Sequence, residues 1–333
     1  YSNMGLGAVI NVVTREKQNG GSVGVNTQNA VTTGFGNNVV NFKYDWDHSQ
    51  IGVTYNINYR NYNKRVLDEE MAYSVGGTDF EKRKSGRNSP YAYEQQMAEI
   101  SFNNAKADNY LFSAKLSFNS LNRRRSSVQD ILSSVDGKES HKTGESQDKD
   151  KYISPVMDMY FSKSFGSKHE LIVNLVGTYY KSDYDYEYQE LQEAEPDFET
   201  ATVIHTDKYS VIGEVLYTYK MKTANLYAGA RYMYNNSIQN NLPSNNKITA
   251  HEIYSYLGIT GMWGDRFNYS ISAGVNNNIF TTIENKTYNF TYFRPQVKLG
   301  YFIDPSSDLM FNYEINTENP SVSSLTYNPY YKD

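Results

Sequence analysis

The sequence predicts an all-β protein, a transmembrane antiparallel up-and-down β-barrel of which this chain supplies about thirteen strands. Three observations predict it. Apolar and polar residues alternate along most of the chain, short and long connections alternate between the alternating segments, and tyrosine crowds toward the segment ends. An outer-membrane barrel has this pattern, with apolar and polar faces on every strand, tight turns at one rim and long excursions at the other.

The alternation begins with a strand near 21–33. Val40, Phe42, Tyr44 and Trp46 then alternate with Asn41, Lys43 and Asp45. After a break at 48–50 come Ile51, Val53, Tyr55, Ile57 and Tyr59, so the two segments read as an antiparallel hairpin. Further strands follow over 98–103, 110–118, 153–161, 171–188, 209–221, 226–234, 253–263, 267–280, 288–301 and 309–315. Short turns are expected at 48–50, 104–108, 163–168, 222–224, 264–266 and 304–307. The connections at 63–95, 122–151, 189–205 and 238–249 are long and rich in Asp, Glu, Lys, Ser and Asn, and read as loops of one rim. Two shorter ones, at 34–37 and 281–287, fall on that same rim.

Composition agrees and excludes other classes. Of 333 residues, 32 are Tyr, 15 Phe and 2 Trp, far too many rings for a disordered chain. Tyr179, Tyr180, Tyr217, Tyr219, Tyr232 and Tyr234 stand near segment ends, where an interfacial girdle places an apolar ring with a polar tip. The mean hydropathy is -0.68, and no apolar run approaches the roughly 18 residues of a membrane helix. With no cysteine there is no disulfide, thiolate metal site or cysteine nucleophile. A net charge of -5 argues against nucleic acid as a partner.

Two stretches carry a resemblance. The first is Tyr1-Ser2-Asn3-Met4-Gly5-Leu6-Gly7-Ala8-Val9-Ile10-Asn11-Val12-Val13-Thr14-Arg15. It resembles the last strand of the plug domain of TonB-dependent outer-membrane receptors, with Ala8 where a second Gly is frequent and Arg15 in place of Lys. The second runs from Tyr292-Phe293-Arg294-Pro295 to Asn319-Pro320-Ser321-Val322-Ser323-Ser324-Leu325 and Asn328-Pro329. It is similar to a barrel region of the Bacteroidetes-type outer-membrane β-barrel family, with Asn319 where that family has Arg. The resemblance implies a barrel of about 22 strands around a plug. On that basis residues 1–19 are the end of the plug and 20–333 the N-terminal portion of the barrel. Gly5, Gly7, Val9, Ile10, Val12 and Val13 would form the plug–barrel junction. A fragment is expected, because thirteen strands would leave two open edges in lipid. The implied function is uptake of a scarce nutrient, a siderophore, cobalamin, oligosaccharide or peptide, energised by the inner-membrane proton-motive force. The implied partners are outer-membrane lipid and lipopolysaccharide, the periplasmic TonB protein and, as a further partner the resemblance allows, a surface lipoprotein.

Residue chemistry offers little toward catalysis. No nucleophile elbow, phosphate loop or dinucleotide fingerprint occurs, and no cofactor is expected. His48, His141, His169, His205 and His251 are too far apart in sequence for a local zinc pair and read as solvated loop or strand-end residues. Asp183, Asp185 and Glu187 alternate with Tyr184, Tyr186 and Tyr188, giving one acidic and one aromatic strand face that could contact a cation or a sugar, or only be solvated. Arg123, Arg124 and Arg125 open a long loop, where they could bind lipopolysaccharide phosphates or only solvate it. Two other functions compete: a structural barrel that scaffolds secretion or assembly, and a soluble Tyr-rich β protein that binds polysaccharide.

Overall fold

The computed structural model describes residues 19–193, 195–241, 244–304 and 306–315. The plug–barrel junction residues Gly5, Gly7, Val9, Ile10, Val12 and Val13 and the stretch from Asn319 to Pro329 lie outside the described residues. Fifteen strands make up the described chain. The first six are β1 (Gly20–Asn29), β2 (Gly34–Trp46), β3 (Ser49–Tyr62), β4 (Glu69–Val75), β5 (Thr78–Asn88) and β6 (Tyr91–Lys106). Then come β7 (Tyr110–Val135), β8 (Lys138–Phe165), β9 (His169–Gln192), β10 (Glu195–Lys220) and β11 (Ala224–Asn241). The last four are β12 (Ser244–Trp263), β13 (Phe267–Thr282), β14 (Thr287–Asp304) and β15 (Ser307–Glu314).

These strands form one antiparallel up-and-down sheet. Its order is β1-β2-β3-β6-β7 and onward to β15, a path of thirteen strands in chain order. The sheet is open among the described residues, with β1 and β15 at its edges. β4 and β5 form a hairpin off this path. β6 pairs with the lower part of β7, from Tyr110 to Arg125, and β5 takes over above it, from Val128 to Val135.

Three expected loops are strand instead. The segments 122–151, 189–205 and 238–249 extend β7–β8, β9–β10 and β11–β12, which reach 26, 28, 24, 26, 18 and 20 residues. The fourth, 63–95, contains the β4–β5 hairpin, and the connection expected at 34–37 falls at 30–33. The physical reason is that these extensions are mostly polar, with apolar residues such as Ile131, Val203 and Ile248 scattered among them, so they lack an apolar period, while backbone ladders form regardless of side-chain polarity. Opposite charges across the ladder assist: Arg123 lies opposite Asp150 and Arg125 opposite Asp148. The β7–β8 hairpin closes in two residues, Asp136 and Gly137, both at positive φ (47° and 77°), as a tight hairpin turn of that twist requires.

The two faces of the sheet differ in chemistry. Most of the shielded side chains, among them Ile131, Asp148, Tyr188, Glu190, Glu252, Tyr256, Asn276 and Asn278, share one face. Among the described residues no second layer covers it, so a side chain such as Asn276, 1% exposed, is shielded by neighbours that converge because the sheet curls toward that side. We call it the inner face. Contacts that skip a strand agree: the Tyr256 hydroxyl donates to Glu214 Oε1 across β11 at 2.9 Å, and the Arg294 guanidinium sits 4.8 Å from the Tyr254 ring centre across β13.

The outer face carries most of the large exposed apolar residues, including Phe42, Ile100, Leu116, Met157, Leu175, Val215, Leu257, Val275, Phe293 and Phe311. They form a belt. On β13 it runs through Phe267, Tyr269, Ile271, Ala273 and Val275, a span matching the roughly 9–11 residues with which a tilted strand crosses a bilayer. Rings border it at both ends. Trp46, Phe102 and Phe112 follow one another at 6.2 Å near the tight turns, and Tyr209 and Tyr234 stand 6.3 Å apart at the other border.

Candidate ligand-binding wall

Above the belt, the ladder registers bring six inner-face residues from six strands into one row: Phe35, Arg60, Tyr93, Arg123, Asp150 and Tyr184. Rings and charges alternate along it. The Arg60 guanidinium lies 3.6 Å from the Phe35 ring centre and 5.9 Å from that of Tyr93, a cation–π arrangement, and donates to the Tyr59 carbonyl at 2.9 Å. Arg123 Nη2 stands 3.0 Å from Asp150 Oδ2 and 3.9 Å from Asp148 Oδ1. The next row holds Tyr91, Arg125, Asp148 and Tyr186, in which Arg125 Nη2 donates to Asp148 Oδ2 at 3.1 Å.

Burial raises the Asp150 carboxyl above its ordinary value. Arg123 opposes that rise, and the neighbouring Asp148 charge adds to it. Asp148 is 5% exposed, and its Oδ1 has no hydrogen-bond donor within the described chain. The wall therefore presents guanidinium groups, carboxylate oxygens and phenol rings together, a surface suited to a polar ligand with hydrogen-bonding groups of both kinds.

Higher still, four strands meet at Glu190. It accepts from Lys82 Nζ at 3.1 Å, Lys142 Nζ at 3.0 Å and the Tyr188 hydroxyl at 2.8 Å, and Lys142 also reaches Asp197 at 2.5 Å. Burial pushes the Glu190 carboxyl up, but the bonds from Lys142, Tyr188 and Lys82 outweigh it and hold the group below its ordinary value. Nearer the tight turns, a groove of about 350 Å³ opens on the inner face between Tyr227, Tyr254, Tyr256 and Gln296.

Residues singled out in the sequence divide between the faces. Tyr184, Tyr186, Arg123 and Arg125 share the inner wall, brought together across β7, β8 and β9. Arg124, Asp183 and Asp185 lie on the outer face, where Asp183 Oδ1 is held 2.7 Å from His205 Nδ1. The arginine run is strand, not loop, so alternate members point apart. The histidines are more engaged than a solvated reading implies: His169 contacts the Tyr217 hydroxyl at 2.6 Å and His251 that of Tyr232 at 2.9 Å. No three His, Asp or Glu side chains are grouped for a metal among the described residues. Sequence reading missed Phe35, Arg60, Tyr93, Asp148 and Asp150. Only strand register assembles them, and the one local signal is the i, i+2 spacing of Asp148 and Asp150.

An open, antiparallel, up-and-down sheet with an apolar outer belt and a polar inner wall is the class of protein these observations define. No family model matches the sequence, and no curated protein matches it. Among solved structures the chain is similar to the ferric citrate transporter FecA in the unliganded form, with a TM-score of 0.37 and 8% identity. The similarity covers 83% of this chain and 52% of that one, so the chain spans about half of that protein's length.

Proposed function

We propose that the chain is part of the barrel wall of a TonB-dependent receptor in the bacterial outer membrane, which imports a scarce nutrient using the inner-membrane proton-motive force. One observation carries this reading: the polarity of the faces is the reverse of a soluble sheet's, with apolar side chains outside and shielded Asp, Glu, Asn and Tyr inside. Lipid solvates such an outer face, and water or a polar ligand such an inner one. The resemblance of residues 1–15 to a plug strand, and of 292–329 to a barrel region of that family, adds TonB coupling to the reading. It also supplies the junction role of Gly5, Gly7, Val9, Ile10, Val12 and Val13. No step is chemical. Arg123, Arg125, Tyr184 and Tyr186 contact the ligand as it enters, while Arg124, Asp183 and Asp185 face the lipid headgroup layer. The nutrient is a siderophore, cobalamin, an oligosaccharide or a peptide. Lipopolysaccharide, TonB and a surface lipoprotein are the partners of this assembly.

Uptake by cells carrying the full-length protein tests it, with labelled members of the four ligand classes and with or without a protonophore. We expect one class to accumulate, accumulation to stop with the protonophore, and Arg125→Gln with Tyr186→Ala to lower it. A protein that assembles in the outer membrane yet accumulates none of the four overturns the transporter in favour of a structural barrel.

A further inference from the structure

The inner face of β13 and β14, beyond the far end of the belt, carries a row of rings apart from the wall of β2 to β9. Phe280 and Tyr288 stand opposite each other across the two strands, with ring centres 4.9 Å and planes 21° apart. Toward the tight turns Phe290 follows 6.5 Å from Tyr288 with its plane at 2°, and Tyr292 follows 6.2 Å from Phe290 at 11°. Register fixes their side of the sheet. Phe290 lies opposite Asn278 and Tyr292 opposite Asn276, both on the inner face.

The row continues on neighbouring strands. On its other side Asn276 pairs with Tyr254, whose ring centre is 5.0 Å from that of Tyr256, and Tyr227 stands 6.3 Å from Tyr256 in the groove nearer the tight turns. Glycines seat these three rings. Tyr254, Tyr256 and Tyr227 fill the space where a Cβ would stand at Gly274, Gly229 and Gly258 on the adjoining strands. A ring laid over a glycine keeps one face toward the backbone and leaves the other toward the interior.

The path is long, and its lining is mostly uncharged. From Tyr288 to Gln296 is eight positions along β14, about 26 Å at roughly 3.3 Å per residue. Charged side chains beside it are held by one another or by a ring: Arg231 Nη2 donates to Glu252 Oε1 at 2.5 Å, Glu214 accepts from the Tyr256 hydroxyl, and Arg294 lies over Tyr254. Thr218, Ser272 and Gln296 line the groove with hydroxyl and amide groups.

We infer that this track binds a linear oligosaccharide, with successive sugar rings against successive aromatic faces. The inference rests on the proposed transporter reading and selects one of its four ligand classes. A pyranose carries C–H groups on its faces and hydroxyls around its edge. The first suit the electron-rich faces of Phe290 and Tyr292, and the second suit side chains that both donate and accept. A row of ring faces fits a chain of repeating units, whereas a compact chelate is held by one enclosing pocket. The uncharged lining likewise fits a neutral chain better than a peptide with charged ends.

The test is isothermal titration of the full-length protein in detergent with linear glucose, mannose and N-acetylglucosamine oligosaccharides of two, four and six units. Cells carrying the protein are offered the same sugars and, separately, a siderophore, cobalamin and a peptide. We expect one series to bind, with affinity rising about tenfold from dimer to hexamer as more rings are covered. Phe290→Leu with Tyr292→Leu keeps apolar bulk but removes two ring faces, and should weaken hexamer binding about tenfold. Phe293→Leu, on the outer face, should bind as the wild type does. No binding in any series, affinity independent of chain length, or equal affinity of the double variant overturns the track. Uptake separates the two readings. Protonophore-sensitive accumulation of the siderophore, cobalamin or peptide without any oligosaccharide defeats the track and keeps the transporter, whereas oligosaccharide binding with no ligand accumulated keeps the track and defeats the transporter.

Discussion

Glu190 on β9 accepts a hydrogen bond from Lys82 on β5 at 3.1 Å, although the two are 108 positions apart in the chain and β7 and β8 lie between them in the sheet. This bond ties the β4–β5 hairpin to the inner wall. Glu190→Gln keeps the shape and removes the charge that holds both Lys82 and Lys142, a loss of about 1–3 kcal/mol. Hydrogen exchange over residues 69–88 should rise in the variant while the belt strands stay protected.

The same carboxyl predicts an acid response. Its value in the folded protein lies below the ordinary one, because the bonds from Lys142, Tyr188 and Lys82 outweigh burial. A group depressed in this way contributes stability above its unfolded pKa of about 4.3 and loses that contribution as pH falls through the lower folded value. Hairpin protection should therefore be flat from neutral pH down to about 5 and fall below about 4. Protection that already declines near neutrality would point to a different group.

Leu257 lies on the outer face of β12 and is 67% exposed. Leu257→Arg should cost about 2–4 kcal/mol in a bilayer, where a charge must be brought to mid-belt depth. Denaturant titration of the full-length protein in lipid vesicles measures it. A soluble sheet would tolerate the same change within a few tenths of a kcal/mol.

Gly86 lies where the segment after β3 crosses the hairpin. A Cβ there would meet the Leu67 carbonyl oxygen at 2.5 Å and the Leu67 nitrogen at 2.8 Å, backbone atoms that cannot rotate away. Gly86→Ala should displace residues 63–68, destabilising the hairpin by about 1–3 kcal/mol. Limited proteolysis should then cut there first.

Arg125→Gln removes a donor from Asp148, which is 5% exposed and receives Arg123 only at 3.9 Å. Asp148→Asn should restore what the first change lost, because the uncompensated charge is then gone. Thermal unfolding of the single and double variants reads out this coupling.

The belt strands were legible because an apolar outer face and a polar inner one impose a period of two, as in Val40, Phe42, Tyr44 and Trp46. Thirteen strands in sequence order follow from that period alone. The upper halves of β7, β8 and β10 were not legible, whereas β9 was read as strand as far as Tyr188: Asp148, Asp150, Arg123 and Arg125 are strand residues in a mostly polar stretch, and only the ladder shows them as strand. The wall was half visible. Tyr184 and Tyr186 stood out as alternating rings, but their separation from Asp183 and Asp185 onto opposite faces became a site only when register set them beside β7 and β8. Arg60 and Phe35 gave no local signal, since each gains its meaning from a partner on another strand.

The central claim is that the outer face meets lipid and the inner face does not. Because the described chain has no cysteine, single substitutions such as Leu257→Cys and Val275→Cys on the outer face, and Thr218→Cys in the inner-face groove at the same depth, can each carry one fluorescent label in reconstituted full-length protein. Lipids brominated along their acyl chains should quench the labels at 257 and 275 and leave that at 218 bright, while a water-soluble quencher should do the reverse. Equal quenching of 257, 275 and 218 by the water-soluble reagent, with no effect of the brominated lipid, would contradict the account.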